Sequence, residues 1–147
     1  MDKRMKEFIL DIMRSHNILT LATIRADGYP QATTVTYAND GLTIYFVTGP
    51  DTQKVKNINK SGKVSLTIDK DYEDWNKIKG LSMTGTAEVA KNHDDIKKAM
   101  GVLVKKFPAF AQMSAQVDQM AIVKITPKFI SVLNYELGFG HTDLVEV

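Results

Sequence analysis

The chain contains no cysteine. Disulfide scaffolds, thiolate catalysis and cysteine-ligated zinc or iron–sulfur clusters are therefore excluded. Histidine is scarce: His16, His93 and His141 are all there are. No two of them stand at the i, i+4 spacing that puts a pair of imidazoles on one helix face, so no metal centre is expected. No stretch approaches the ~20 apolar residues of a membrane span. The opening MDKRMKEFILDIM is amphipathic and charged, without the continuous apolar core of a signal peptide. The formal net charge is only +2, and lysine and arginine are spread along the chain instead of forming a basic arm or stripe, so nucleic acid is not an expected partner. Also missing are a P-loop, a dinucleotide glycine fingerprint, a nucleophile elbow and an EF-hand. These absences lead to the expectation of a cytoplasmic protein with no membrane partner.

What is present suits one domain over residues 1–147, large enough to bury a core without metals or disulfides. Residues 2–15 read as a helix, because Met5, Phe8, Ile9, Ile12 and Met13 form one apolar stripe. Ile18 to Ile24 and Gln31 to Tyr37 read as strands joined through Ala26-Asp27-Gly28-Tyr29-Pro30, and a third strand follows the turn Asn39-Asp40-Gly41. Short turns between successive strands imply an antiparallel meander. Lys63 to Asp69 is the fourth strand. Leu81 to Ala90 is a long strand rich in small residues whose Gly85 marks a bend or bulge. Asn92 caps a helix from His93 to about Phe107, and residues 109–118 add a further helical turn or two. Met120 to Tyr135 is the last long strand, bulged near Pro127, and Glu136 to Val147 reads as irregular. The fold class is mainly β with helices (or α+β): a small antiparallel barrel of about six strands with helices outside it.

The stretch with the most chemistry is Leu42 to Leu66. A strand alternating Leu42, Ile44, Phe46 with Thr43, Tyr45, Val47 stops at Gly49-Pro50. Asp51 or Thr52 then caps a short helix that buries Val55 and Ile58 and ends near Gly62. At such a junction the free amides of the first helical turn, the Thr48 and Thr52 hydroxyls and the Lys54 ammonium can converge on one dianion. The same residues also suit an ordinary capped helix with solvated lysines. Other features are equally two-sided. His141, within Leu137-Gly138-Phe139-Gly140-His141, reads as a ligand-approaching segment or a surface tail. Trp75 reads as a ligand-facing aromatic or a cap on the core. The acidic run Asp69, Asp71, Glu73, Asp74 reads as a solvated loop or a weak cation site.

Taken together, ILTLATIRADGYPQATTV, YFVTGPDTQKVKNINKSGKVSL and WNKIKGLSMTGTAEV make an order of parts that resembles the flavin-binding split barrels related to pyridoxamine 5'-phosphate oxidase. The most specific part is the strand, Thr, short loop and Lys-bearing helix before KSGKVSL. The resemblance implies an antiparallel split β-barrel homodimer with FMN in a groove made by both subunits. It places Thr48, Thr52, Gln53 and Lys54 at the phosphate, and Gln31, Ala32, Thr33 and Thr34 on the strand beside the isoalloxazine ring. Gly80 and Ser82 fall on the strand approaching the ring's other side, and Trp75, Tyr135 and His141 on the substrate or partner-flavin side. Gln53 stands where the family frequently has arginine. The only arginines are Arg4, Arg14 and Arg25, so the oxidase's substrate-holding arginine set and its Arg-x-His signature are missing, and true pyridoxamine phosphate oxidase activity is not expected.

The expected function is thus an FMN-dependent oxidoreductase acting on an unspecified small-molecule substrate or electron donor, with the flavin performing the redox step. Two alternatives stand beside it: a non-catalytic FMN-binding electron-transfer protein, and a haem-binding or haem-degrading barrel with His141 as axial ligand. A deazaflavin in place of FMN also remains open.

Overall fold

The computed structural model describes residues 1–147, the side chain of Ser114 aside. Eight strands form one antiparallel sheet that curls around a hydrophobic core. In chain order the elements are α1 (Lys3–Ser15), β1 (Ile18–Ile24), β2 (Pro30–Thr36), β3 (Ala38–Asp40), β4 (Thr43–Thr48), α2 (Gln53–Lys60), β5 (Lys63–Ile68), β6 (Lys79–Val89), α3 (His93–Lys106), β7 (Ala121–Asn134) and β8 (Thr142–Glu146). Short 3-10 segments cover Trp75–Lys77, Pro108–Gln119 and Tyr135–Leu137. Among the described residues no helix is long and apolar enough to cross a membrane.

The strand order β2-β1-β5-β6-β7-β4-β3 puts β2 and β3 at opposite edges of the sheet. Only Tyr37 separates them in the chain. The polypeptide therefore steps from one edge to the other at a single residue, which closes the sheet into a barrel without a hydrogen-bonded seam. Tyr37 is fully buried, and its hydroxyl donates to the Met13 carbonyl oxygen at 2.7 Å. Lys106 reaches the same place from the end of α3, with Nζ 4.1 Å from the Tyr37 ring centroid and donating to the carbonyls of His16 at 2.5 Å and Met13 at 3.3 Å. The last carbonyls of α1, which have no partner inside the helix, are satisfied in this way.

Period-two alternation aims one set of side chains inward: Leu19 and Leu21 of β1, Val64, Leu66 and Ile68 of β5, Leu81 and Met83 of β6, Val123 and Ile125 of β7, and Ile44 and Phe46 of β4. The stripe Ile9, Leu10, Ile12 and Met13 of α1 joins the same core. On the other side of β4 and β7, Ala99 of α3 packs with Tyr45 and Ile122 in a smaller cluster. α2 lies against β1 and β6.

The long β7 does double duty along one edge. Its first part, Ala121 to Ile125, pairs with β4 and its later part, Phe129 to Leu133, with β8, while β6 runs along the opposite edge. Thr84 opposes Phe129 but Gly85 opposes Pro127, so the register skips Lys128 at the bulge expected from Gly85 and Pro127. A Cβ on Gly85 would strike the Thr126 carbonyl oxygen and lie 2.9 Å from Pro127 Cα, so only glycine fits this corner.

Four expectations need correction. The early strands do not run on as one meander: β2 pairs with β1, whereas β4 pairs with β3 and β7, so β2 and β4 are not neighbours in the sheet. The strands number eight, not about six: β3 is the continuation of β2 across Tyr37, and no sequence break announces it. The tail is not irregular throughout, because Thr142–Glu146 adds β8 to β7; only Val145 of that strand is buried, which leaves little hydrophobic pattern to read. Gly62 does not cap α2. The helix ends in extended backbone at Ser61, and what calls for glycine at 62 is the Ala87 carbonyl oxygen, which a Cβ would approach to 2.8 Å.

Candidate functional site

At the end of β4 the chain turns through Gly49-Pro50 into α2, and the residues expected around a phosphate gather there. Lys54 Nζ donates to Thr48 Oγ1 at 3.2 Å. Lys54 takes part in no ion pair among the described residues, so its charge faces the junction without a carboxylate to neutralise it. Thr52 occupies the N-cap position, but its hydroxyl makes no cap bond to the helix and donates backward to the Gly49 carbonyl at 3.0 Å. The amides of the first turn are therefore left open, at the end of the helix where the dipole favours negative charge. Open amides, two threonine hydroxyls and one unneutralised lysine form a donor set of the kind that holds a phosphate.

Gln53 turns elsewhere. Its Nε2 donates to Asn57 Oδ1 at 2.7 Å, and Asn57 Nδ2 donates to Thr23 Oγ1 at 3.0 Å and Gln31 Oε1 at 3.2 Å. Asn57 and Thr23 are each only 2% exposed and are the two buried polar side chains among the described residues. Thr23 and Gln31 are direct cross-strand partners of β1 and β2 that face inward together. This chain of amides and hydroxyls fastens α2 to edge strand β2. Neither Asn57 nor Thr23 was singled out from the sequence. Their signal was a polar residue inside an otherwise apolar register: Asn57 beside Val55 and Ile58, and Thr23 after Leu19 and Leu21.

Along β2, Gln31 and Thr33 turn toward the inner face while Ala32 and Thr34 lie exposed on the outer one. Thr34 begins a row that crosses the outside of the sheet through Thr20, Thr67 and Ser82 to Ser131. The next row is Ala32, Ala22, Ser65, Thr84 and Phe129. Gly80 is buried, and a Cβ there would lie 3.2 Å from the Ile68 carbonyl oxygen.

Trp75, Tyr135 and His141 assemble at a different place. The Tyr135 amide donates to Ile78 O at 2.9 Å, its ring meets Phe139 edge-on at 5.3 Å, and the Asn134 amide donates to His141 O at 3.1 Å. His141 Nε2 lies 3.0 Å from Asp143 Oδ2. Trp75 is 67% exposed on the connection between β5 and β6. This group sits at the Asn134 end of β7, whereas Thr48 pairs with Ala121 at its start. At strand rise the intervening length is roughly 40 Å or less, allowing for the bulge. Among the described residues no hydrogen bond joins the two groups of candidate residues.

Residues 1–134 match the family model described as pyridoxamine 5'-phosphate oxidase. Among curated proteins, General stress protein 26 of Bacillus subtilis (strain 168) is 34% identical over 68 residues, which are 46% of this chain and 48% of that protein. The match therefore spans about half the length of that relative. Among solved structures, a heme binding protein from Mycobacterium smegmatis superposes with a TM-score of 0.81 at 20% identity, covering 96% of this chain and 57% of the other. A conserved hypothetical protein from Mycobacterium tuberculosis superposes with a TM-score of 0.79 at 24% identity, covering 97% and 91%. Both likenesses concern the fold, and they match the curled antiparallel sheet described above. With the family model extending from α1 to the end of β7, the chain belongs to the pyridoxamine 5'-phosphate oxidase family.

Proposed function

We propose that the chain is an FMN-binding oxidoreductase that works as a homodimer and is not a pyridoxamine phosphate oxidase in the strict sense. The observation that carries this reading is the unneutralised Lys54 on Thr48 at the open N-terminus of α2. Thr48, Thr52, Lys54 and the first amides of α2 would hold the cofactor's phosphate, and Gln31 to Thr34 would run beside its ring. Gln53 would support this arrangement from behind, through Asn57 and Gln31. When bound, FMN supplies the electron transfer, and the protein contributes position and electrostatics.

A dimer is supported by two features of the chain. The outer face built from the Thr34–Ser82 and Ala32–Thr84 rows is composed of small residues, with Ala32 and Thr34 exposed, so a second sheet could approach closely. The separation of the Lys54 group from the Tyr135–His141 group also fits a site completed by a second copy. Trp75, Tyr135 and His141 would then face the partner's cofactor.

The test is the absorption spectrum of the purified protein together with mass spectrometry of the released small molecule. FMN is expected at one per chain, sedimentation is expected to give a dimer, and reduced nicotinamide is expected to be consumed when an acceptor is present. Binding without turnover would leave an electron carrier. Deazaflavin in the extract would replace FMN in the same donor set. The likeness to a heme binding protein favours one further reading, haem with His141 as ligand. A Soret band that disappears in His141→Ala would establish that reading in place of the flavin.

A further inference from the structure

At the opposite end of β4 from Thr48, the turn residue Gly41 borders a separate cavity of about 420 Å³. At strand rise the two places are roughly 20 Å apart. Its walls carry Arg14 from α1, Asn39 and Asp40 from β3, and Val102, Lys105 and Lys106 from α3. We propose that this cavity is a second binding site, for a small dianion of the phosphate or phosphomonoester class, held by Arg14, Lys105 and Lys106. The proposal does not depend on the flavin reading.

The charges lining the cavity do not balance. Three cations face a single carboxylate, Asp40, and that carboxylate is already engaged by Lys98 at 3.1 Å. Arg14 Nη1 forms ion pairs with Glu7 at 3.9 Å and Asp11 at 3.8 Å, which offset part of its charge, but both are longer than a hydrogen bond, so its donors stay unfilled. Lys105 takes part in no ion pair among the described residues. Lys106 is the distinctive member. Two of its three protons go to the carbonyls of His16 and Met13, and its charge rests over the Tyr37 ring, with Phe107 at 5.6 Å. All of these neighbours are neutral. Partial burial without a carboxylate draws the Lys106 ammonium down to about 8. An oxyanion in the cavity would supply the missing counter-charge and an acceptor for the third proton. The volume falls within the range of small-molecule sites, so an organic phosphate is accommodated as well as the free ion. A planar guanidinium beside two lysine point charges suits a tetrahedral anion with several oxygens.

The competing account is that these cations serve only the carbonyl ends of α1 and α3. The two accounts differ in how Lys106 responds to added anion. Lys106 is titrated by NMR of its labelled side chain at constant ionic strength in chloride, with and without inorganic phosphate. Phosphate is expected to raise the Lys106 midpoint by about one pH unit, a tenfold preference for the protonated form. The rise should persist in Lys54→Glu, which disables the distant β4–α2 junction, and vanish in Arg14→Gln/Lys105→Gln, whose exposed side chains leave the core untouched. An unmoved midpoint in the unmodified protein overturns the proposal. An equal rise in the double variant, or a rise abolished by Lys54→Glu alone, does the same. Acetate acting as strongly as phosphate overturns the assignment to a dianion.

Discussion

Asn57 of α2 donates to Gln31 Oε1 of β2 at 3.2 Å, joining the helix that carries Lys54 to the strand expected beside the flavin ring. The same amide serves Thr23 and accepts from Gln53, and it does so while almost fully buried. Asn57→Leu keeps the volume similar but strips three side chains of a partner. Leaving buried polar groups unpaired costs about 1–3 kcal/mol, and urea unfolding should show a loss of that size. If Gln31 belongs to the cofactor site, FMN affinity falls in the same variant. A destabilised protein that binds FMN as tightly as before would separate Gln31 from the site.

Lys54 is the residue on which the phosphate assignment can be tested most directly. Its bond to Thr48 joins two half-buried side chains outside the core, so Lys54→Glu should fold normally. A hydrogen bond to a charged group is worth about 1.5–3 kcal/mol, so FMN should bind roughly tenfold to a hundredfold more weakly. Riboflavin, which has no phosphate, should bind both proteins equally. The comparison by fluorescence titration therefore isolates the phosphate from the ring, and equal losses for the two ligands would argue against the assignment.

Two glycines make opposite predictions about stability. Gly85 sits at the β6–β7 bulge with backbone of Thr126 and Pro127 where a Cβ would go. Gly85→Ala should therefore force the two strands apart, costing about 2–3 kcal/mol, the scale of overpacking in a tight core. Gly101 lies exposed within α3 with nothing near its missing side chain. Gly101→Ala should stabilise by about 0.5–1 kcal/mol, because alanine is the better helix former. Thermal unfolding of the two variants reads both effects.

The sequence was legible where one physical signal dominated. The stripe of α1, the Asn92 cap of α3, the bulge at Gly85 and Pro127 and the strand–helix junction at Thr48 to Lys54 each announce themselves locally. β8 was hidden because Thr142–Glu146 buries one residue and owes its pairing to β7 rather than to its own pattern. The step between sheet edges at Tyr37 was hidden because a strand that changes partners looks the same as one that does not. The Gln53–Asn57–Gln31 connection depends on residues far apart in the chain, and spacing within α2 reveals only that Asn57 is a polar intruder on an apolar face. Gln53 is placed at the phosphate by the family resemblance and not by any local pattern, and in the fold its side-chain nitrogen donates to Asn57.

Lys106 and Tyr37, stacked at 4.1 Å, give the fold an alkaline signature. Burial places the Lys106 value at about 8, below its ordinary 10.5. Between those two values the unfolded chain holds a proton that the folded one has released, so stability rises with pH from about 8. Tyr37 acts in the opposite sense. Burial holds its phenol above the ordinary 10.0, so above about pH 10 the unfolded chain loses a proton that the folded one retains, and stability falls. The gain from Lys106 is therefore confined to about pH 8–10. Solvent reaches part of that side chain, which reduces the gain to about 1 kcal/mol. In Lys106→Met the titrating group is gone, and with it the rise. At neutral pH that variant loses two bonds to carbonyls but also the cost of holding a charge against an apolar ring, so its net change should stay within about 1 kcal/mol. Urea unfolding of both proteins from about pH 7 to 10 checks the difference between them. A variant whose stability climbs as steeply as the original's would assign the rise to another group.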